Sequence, residues 1–327
     1  MQAVRKYLFV SDYENDRVLR FDFATKAFKD VFVQVNHWPL VSPVSHIMIQ
    51  LTKLPRSRSQ KGSGGLKDPW GIAFNKYDDP IQPRTFYVAS GGTSAILQYD
   101  ACDGSFIKKF AHVPGGPRGL TFHTLPSKHK PPRDQKMLLV ASYYTHQVVK
   151  FNALTGSSLG VYASGVKNPI EVIVGPSASH NNPAHTANIF VSSNHDDAAI
   201  QFHATTGAFK AKFTDKTVSE PFGIVFAPGP AASPPIAGVE SGPGGVFMTG
   251  PYAGQVIVKF DMNNGTYIEH FEDKDLRRPT DMEYDNKHLY VLDGATIRTY
   301  DAETGEFLEV WSSKDGMDGT HMLFHSM

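Results

Sequence analysis

Three residues, Glu171, Asp281 and His321, carry side chains that can bind a metal ion and occupy equivalent places in the chain. Each of them begins a short apolar run, and similar runs elsewhere begin with glycine instead. Because carboxylate oxygens and imidazole nitrogens coordinate Ca²⁺ or Zn²⁺, the three side chains form a candidate site for one divalent cation. Such an ion polarises a carbonyl group or activates water, and His321 would then be the candidate catalytic base. The alternative is that the three groups face a solvated opening and hold only water.

A second set of residues has the properties of a recognition surface. Tyrosine rings stack on sugar rings or peptide side chains, and arginine, histidine and asparagine side chains supply hydrogen bonds. Trp70 and Phe222 could join the same aromatic rim or could pack between structural units. The polar run 194–197 could equally be a solvated loop. The candidate ligand-binding residues are Arg118, Tyr143, Tyr144, His146, Asn194, His195 and Tyr252.

The composition narrows the classes of function. The chain has 32 basic and 32 acidic residues, so no excess of positive charge would attract nucleic acid or an anionic membrane. It contains no Gly-rich phosphate loop, nucleophile elbow or His-Glu-x-x-His motif. Cys102 is the single cysteine, which excludes an intramolecular disulfide and a cysteine-rich zinc site.

The sequence shows neither a membrane span nor a signal peptide. No apolar run approaches the ~20 residues of a membrane span, and the segment from Met1 to Lys6 lacks the apolar stretch of a signal peptide. We therefore expect a soluble, cytoplasmic protein with no membrane partner. Secretion is the alternative if a signal segment precedes this sequence.

One pattern recurs six times and predicts the elements that position these residues. A strand-like apolar run is followed by a polar loop, a second alternating run, a tight turn and a third run. A further short run led by Pro or Gly precedes most copies, so each unit has four strands. The copies begin at Tyr7, Phe86, Leu138, Ile189, Val246 and Leu289.

The tight turn of five copies contains a glycine at the same place. A glycine there supplies the positive φ that a short hairpin with a bulge requires. The first copy has Lys26 instead, so we expect its turn to be strained or differently shaped. The five glycines are Gly104, Gly156, Gly207, Gly265 and Gly305.

The two ends of the chain complete each other. The copy at Tyr7 has no leading strand, and the C-terminal run that begins at His321 has no copy after it. Closing a ring of blades removes both unpaired edges. The sequence therefore predicts an all-β, six-bladed β-propeller with four-stranded blades, formed by residues 1–327 as a single domain. The last blade would combine the C-terminal strand with three N-terminal strands.

The runs Asp68-Pro-Trp-Gly-Ile-Ala-Phe and Leu8-Phe-Val-Ser-Asp-Tyr-Glu-Asn-Asp-Arg-Val-Leu-Arg-Phe-Asp resemble the blade motif of NHL-repeat propellers. They also resemble the related six-bladed calcium-dependent phosphotriesterase and gluconolactonase superfamily. The resemblance implies that the Pro-led strand lines a central channel. It does not choose a function, because lyases, lactonases and binding modules share this fold. The gluconolactonase-like enzymes hold their ion with Glu, two Asn and Asp, and the two Asn positions have no counterpart that we can place here.

Residues 34–67 form an insertion, because the other units need only about six to ten residues between outer strand and next inner strand. The stretch that begins at Pro55 is polar and rich in Ser and Gly, which favours a disordered excursion. A lid over the channel and a translated intron covering 35–60 are the other hypotheses.

Two functions follow from this arrangement. The first is an NHL-like binding or assembly module that takes a protein, peptide or glycan on the face where the inner strands begin, or that self-associates. The alternative is a metal-assisted hydrolase or lyase with its site at the channel mouth.

Overall fold

Short antiparallel strands joined by tight turns make up the structure. The computed structural model of the protein describes residues 5–34, 63–77, 84–125, 135–175, 188–227, 245–250, 256–262, 264–285 and 287–326. Its strands are β1 (Lys6–Asp12), β2 (Arg17–Asp22), β3 (Phe28–Val33), β4 (Pro69–Phe74), β5 (Thr85–Ser90), β6 (Ala95–Asp100), β7 (Phe106–His112), β8 (Pro117–Leu125), β9 (Gln135–Ser142), β10 (Gln147–Asn152), β11 (Ser158–Ser164), β12 (Pro169–Val174), β13 (Asn188–Ser193), β14 (Ala198–His203), β15 (Phe209–Phe213), β16 (Gly223–Ala227), β17 (Gly245–Thr249), β18 (Val256–Asp261), β19 (Tyr267–Glu272), β20 (Pro279–Tyr284), β21 (His288–Asp293), β22 (Thr296–Asp301), β23 (Phe307–Ser313) and β24 (Gly319–Ser326).

The strands form six four-stranded sheets, which are the six blades. Five blades follow the chain, in the orders β4-β5-β6-β7, β8-β9-β10-β11, β12-β13-β14-β15, β16-β17-β18-β19 and β20-β21-β22-β23. The sixth has the order β24-β1-β2-β3. The predicted fold class and the predicted closure of the last blade are both confirmed.

The closing ladder pairs the two ends of the chain. Strand β24 runs antiparallel to β1, with Tyr7 opposite His325 and Val10 opposite Met322. Met322 is fully buried, while Leu323 and Phe324 are partly buried. The C-terminal strand therefore contributes both hydrogen bonds and apolar burial to the closed ring.

The hairpin turns show why glycine recurs in them. The five predicted glycines have φ between 70° and 76°, which is the left-handed region that favours glycine. A Cβ on Gly156 would lie 2.2 Å from the carbonyl oxygen of Phe110 in the preceding blade. Lys26 takes the same conformation, with φ 60°, so the first turn keeps its shape and carries the strain.

The apolar core lies between blades. Each of six buried clusters joins residues of neighbouring sheets, as where Phe9 and Phe32 of the closing blade pack with Phe74 and Phe86 of the next. The outer strands β7 and β23 are mostly exposed, whereas the second strands β5 and β13 are almost entirely buried. Burial is therefore lowest at the rim of the propeller.

The inner strands surround a central channel. They contact one another in the cyclic order β4, β8, β12, β16, β20 and β24. We call the face where these strands begin the upper face and the opposite one the lower face. Within the ranges given above, no helix has the length and apolarity of a membrane span. Most of the predicted insertion, residues 35–62, and the candidate ligand-binding residue Tyr252 lie outside the described residues.

Candidate functional site

The start of the inner strands forms a narrow ring to which three strands contribute a glycine and three a polar residue. A Cβ on Gly119 would lie 2.8 Å from the Cα of Glu171, and a Cβ on Gly223 would lie 2.7 Å from the Cα of Asp281. Real Cβ contacts are never this short, so these positions must be glycine for the strands to approach. The space at the axis is thereby left to the side chains of Glu171, Asp281 and His321.

These three side chains, which we call the polar cluster, meet as the sequence predicted. The Nδ1 atom of His321 lies 2.9 Å from Oδ2 of Asp281 and 3.3 Å from Oε2 of Glu171. One possible ligand atom of each residue lies within 4.8 Å of the others. All three residues are buried, with between 3% and 8% of their surface exposed.

Backbone groups hold the two carboxylates in place. The amide of Met322 donates to Oδ2 of Asp281 at 2.8 Å, and the amide of Val172 donates to Oε1 of Glu171 at 3.2 Å. In the described part of the chain, neither ring nitrogen of His321 makes a well-directed hydrogen bond. The Nδ1 atom of His321 is therefore close to both carboxylates but is not aligned with them for hydrogen bonding. The imidazole thus remains a candidate metal ligand.

The electrostatics of the polar cluster show an excess of carboxylates. Burial disfavours a charged imidazole, but Asp281 and Glu171 outweigh this effect and raise the pKa of His321 well above its usual value. Burial raises the pKa of Glu171. Burial, together with repulsion from Asp281, raises the pKa of Glu283 to about 8. Three carboxyl groups thus lie near a single imidazole. Uptake of protons or of a cation therefore stabilises the buried site by reducing the repulsion between the carboxylates.

The channel continues from the polar cluster toward the lower face as a cavity of about 590 Å³. Its lining includes the polar cluster and later residues of the inner strands, but not Trp70, Arg118 or Phe222. Near its lower end His325 stacks on Phe74, with ring centroids 3.8 Å apart. Burial lowers the pKa of His325 to about 4.

The upper end of the channel is covered by side chains that we call the mouth layer, namely Tyr13, Trp70, Arg118, Tyr143 and Phe222. Trp70 and Phe222 come from opposite blades, and their rings are 5.9 Å apart. The Arg118 guanidinium lies 4.0 Å from the centre of the Trp70 ring and 5.0 Å from that of Tyr143. Tyr13 packs edge-on against Trp70 at 5.6 Å. The mouth layer therefore separates the upper face from the cavity.

Irregular pairing near the start of the inner strands places these residues. The ladder of β4 with β5 shifts between Pro69 and Ile72, and that of β8 with β9 shifts between Pro117 and Leu120. A bulge changes the direction in which successive side chains point. Neighbouring residues of one strand can therefore contribute both to the mouth layer and to the ring that the starts of the inner strands form beneath it. The hydroxyl of Ser11 also donates to the carbonyl of Trp70.

Two donors in the mouth layer have no acceptor among the described residues. They are the buried Nε of Arg118 and the buried Nε1 of Trp70. Burial lowers the pKa of Arg118, and the neighbouring tyrosines and, to a smaller extent, Asp68 oppose this. Beside the layer, Tyr144 is 66% exposed and lies edge-on to Tyr143 at 4.9 Å.

The remaining predicted ligand-binding residues have different surroundings. His146 uses Nδ1 to accept a hydrogen bond from the Asn168 amide at 3.1 Å, which ties its blade to the next. Asn194 is buried, and its side-chain nitrogen has no partner within the described ranges. His195 is exposed. The structure thus brings Arg118, Tyr143 and Tyr144 together and gives His146 a structural contact.

Two channel residues were missed by the sequence reasoning, which placed the loop of residues 12–16 at the mouth without recognising the role of Tyr13. Glu283 and His325 follow Asp281 and His321 at even spacing, so strand alternation was the signal that could have placed them in the channel. Tyr13 stands in a loop of acidic residues, and no pattern in the sequence distinguishes it as a ring that contacts Trp70.

Comparisons with known proteins show the fold. No family model and no curated protein matches the chain. A solved structure of a nidogen/laminin complex is similar over 98% of this chain and 98% of that one, with 11% identity and a TM-score of 0.65. A functionally unknown protein from Desulfotomaculum acetoxidans is similar over 93% of this chain and 78% of that one, with 12% identity and a TM-score of 0.53. At such identities the likeness extends to the six-bladed propeller architecture and not to activity.

Proposed function

We propose that the protein is an NHL-like binding propeller that takes a protein, peptide or glycan ligand on its upper face. The mouth layer is the observation that carries this proposal. It combines arginine, tryptophan and tyrosine at the centre of one face, and these are the residue types that dominate the binding energy of protein interfaces. The exposed ring of Tyr144 extends the layer into solvent.

The unpaired donors of Arg118 and Trp70 support the same proposal. A buried donor without an acceptor costs about 1–3 kcal/mol, so a ligand that supplies acceptors there recovers this energy. The similar chain comes from a solved nidogen/laminin complex, which is in line with a protein partner for this chain.

Selection from a random-peptide display library and from a glycan array tests the proposal. We expect ligands whose binding is lost in Tyr144→Ala and retained in Phe209→Ala. The two rings are equally exposed, at 66% and 65%, but Phe209 lies on the outer strand β15, away from the axis. Sedimentation of the unmodified protein and of the same two variants over a range of concentrations tests self-association. Ligands that bind both variants as well as the unmodified protein, or no ligand at all, would refute the upper face as the binding site.

A metal-assisted hydrolase or lyase is the second candidate function, and the polar cluster is the observation that favours it. Two carboxylates and an imidazole whose nitrogens lack aligned hydrogen bonds suit Zn²⁺, with one coordination position left for water or substrate. Ca²⁺ takes six to eight oxygen ligands, so this set of three fits it less well. When bound, the ion would polarise a carbonyl or lower the pKa of a water molecule.

The position of the cavity sets the route of a substrate in this second candidate. The mouth layer covers the cluster from above, and the cavity reaches it from the lower face. A substrate would therefore enter between the later residues of the inner strands. A neutral imidazole that binds an ion through Nδ1 carries its proton on Nε2 and has no second lone pair to accept another, so His321 would act as a metal ligand and not as the base when an ion is bound.

Metal analysis of the purified protein, followed by melting with and without a chelator, tests this candidate. A bound ion stabilises the folded state by mass action, so a chelator should lower the melting temperature of the unmodified protein and not that of Glu171→Gln. The control Glu309→Gln removes an exposed carboxylate from the outer strand β23 and should keep the chelator effect. Absence of stoichiometric metal and a chelator-insensitive melt would eliminate the enzyme in this form.

A further inference from the structure

We propose that the mouth layer recognises a carboxylate, supplied by an aspartate or glutamate side chain of a protein partner. This inference rests on the proposed binding function of the upper face and names the chemistry of its ligand. Arg118 is the central residue, because its Nε is buried without an acceptor while its guanidinium is already stacked on Trp70 at 4.0 Å.

The two unpaired donors match one carboxylate. The Nε–H of Arg118 and the Nε1–H of Trp70 belong to stacked groups, and the two oxygens of a carboxylate can accept from both. The planar guanidinium is held by rings on two sides, so little side-chain freedom is lost when the ligand binds.

The loop after β5 packs directly against these groups. A Cβ on Gly91 would lie 2.7 Å from Nη1 of Arg118 and 3.3 Å from Cδ1 of Trp70. Since real Cβ contacts are not as short as 2.7 Å, the guanidinium can keep its stacked position only because Gly91 has no side chain. The backbone of Gly91 does not have a positive φ, so alanine is conformationally allowed there, but its methyl group would push the guanidinium out of place.

The charge of the surroundings favours a monoanion. Arg118 is the cation of the layer, and Asp68 lies near enough to affect the electrostatics of both Arg118 and Tyr13. A carboxylate balances one guanidinium, whereas a phosphate dianion would bring a second negative charge toward Asp68 without a second cation. The tyrosines around Arg118 then suit the apolar part of a peptide rather than further charge.

Calorimetric titration with a tetraglutamate peptide that is acetylated and C-terminally amidated tests the proposal, with the tetraglutamine peptide blocked in the same way as the neutral probe and glucuronate as the acidic sugar. We expect tetraglutamate alone to bind. Replacing Arg118 by Gln should weaken that binding about tenfold or more, since a hydrogen bond to a charged group is worth this much. Arg118→Lys keeps the positive charge but lacks the planar guanidinium, so it should keep only part of the affinity.

Two further variants complete the design. Gly91→Ala keeps both donors and should also weaken binding, because its methyl group displaces the Arg118 guanidinium from its place on Trp70. Arg277→Gln removes an exposed positive charge beside the start of β20 and should change the affinity less than twofold. Thermal melting of each variant confirms that it is folded.

The outcomes distinguish the proposed carboxylate site from the proposed binding function of the upper face. Binding of tetraglutamate that is equal in Arg118→Gln and in the unmodified protein would overturn the carboxylate site. So would equal binding of tetraglutamine or of glucuronate, or the absence of tetraglutamate binding. If selected ligands still depend on Tyr144 in those cases, the binding function of the upper face stands and only its ligand chemistry is wrong.

Discussion

Removing the C-terminal strand, residues 319–327, should prevent the propeller from closing. The strand contributes the fully buried Met322 and the partly buried Leu323 and Phe324. At about 1.5–3 kcal/mol for a fully buried large side chain, and less for the two partly buried ones, the apolar loss is about 4 kcal/mol. The ladder with β1 is lost as well, and the inner edge of that strand is exposed. Since whole domains are stable by only about 5–15 kcal/mol, the shortened chain should be unfolded or close to it.

Thermal and urea unfolding of three chains measures this effect. The chain lacking 319–327 should show no cooperative transition, or one far below that of the full chain. A chain lacking only residues 326–327 should melt like the full chain, because it keeps Met322 and most of the ladder. Met322→Ala should lie between them, with a loss of about 2–5 kcal/mol. A cooperative transition at the full-length temperature in the chain that lacks 319–327 would refute the closure.

Three other changes have expected outcomes that unfolding measurements check. Gly156→Ala should cost more than Gly160→Ala, although both have positive φ, because only the first Cβ meets the preceding blade, at 2.2 Å; equal losses would contradict this inter-blade contact. The pKa of His325 is about 4 in the folded state and near 6.5 when unfolded, so the unfolded state binds more protons in this window and stability falls as pH is lowered through it. At pH 4.5 this shift corresponds to about 2–3 kcal/mol, and solvent screening of the partly exposed ring reduces it, so His325→Phe should remove about 1–2 kcal/mol of that loss; identical pH profiles would contradict the assignment. Asp273→Asn breaks a buried arginine pair and should cost about 2–3 kcal/mol, whereas Glu309→Gln in an exposed pair should cost under about 1 kcal/mol, and equal losses would count against the buried network.

The fold could be predicted from the sequence because its determinants are local. Each hairpin turn needs a positive φ, and a glycine at positions such as Gly104 and Gly305 reports it directly. A proline marks the start of inner strands, as Pro69 does for β4 and Pro117 for β8. The closure could be predicted from the number of strands. The first copy lacks a leading strand and the C-terminal strand has no copy after it, so the two together make one complete blade. Lys26 kept the turn geometry without glycine, so the surrounding hairpin outweighs one strained residue.

The site was predicted in part, because it depends on contacts between blades. The convergence of Glu171, Asp281 and His321 followed from their equivalent places in the repeat. That Trp70 crosses the mouth to Phe222 did not follow, since the two residues lie on opposite blades and no spacing in the sequence records the diameter of the ring. Nor could the direction from which the cavity reaches the cluster be derived, because it depends on that crossing.

The backbone contacts of polar loops were equally invisible in the sequence. Asp16 accepts a hydrogen bond from the Asp68 amide at 2.7 Å, and Asp197 accepts one from the Glu220 amide at 2.8 Å. His146 makes the equivalent contact from its blade to the next, accepting from the Asn168 amide. Such residues have the composition of a binding loop, but they join successive blades, so residue type alone does not separate the two roles.

The indole N–H resonances of the tryptophans test the central claim, that ligands bind at the mouth layer, most directly. In a two-dimensional ¹⁵N–¹H spectrum, the signal of Trp70 can be assigned with a Trp70→Phe variant, and that of Trp311 serves as an internal reference because its ring is buried beside β21 and the closing blade. Titration with tetraglutamate should shift the Trp70 signal, since its Nε1–H gains an acceptor, and should leave the Trp311 signal in place. An unmoved Trp70 signal at saturating peptide, or an equal shift of both, would contradict binding at the mouth of the propeller.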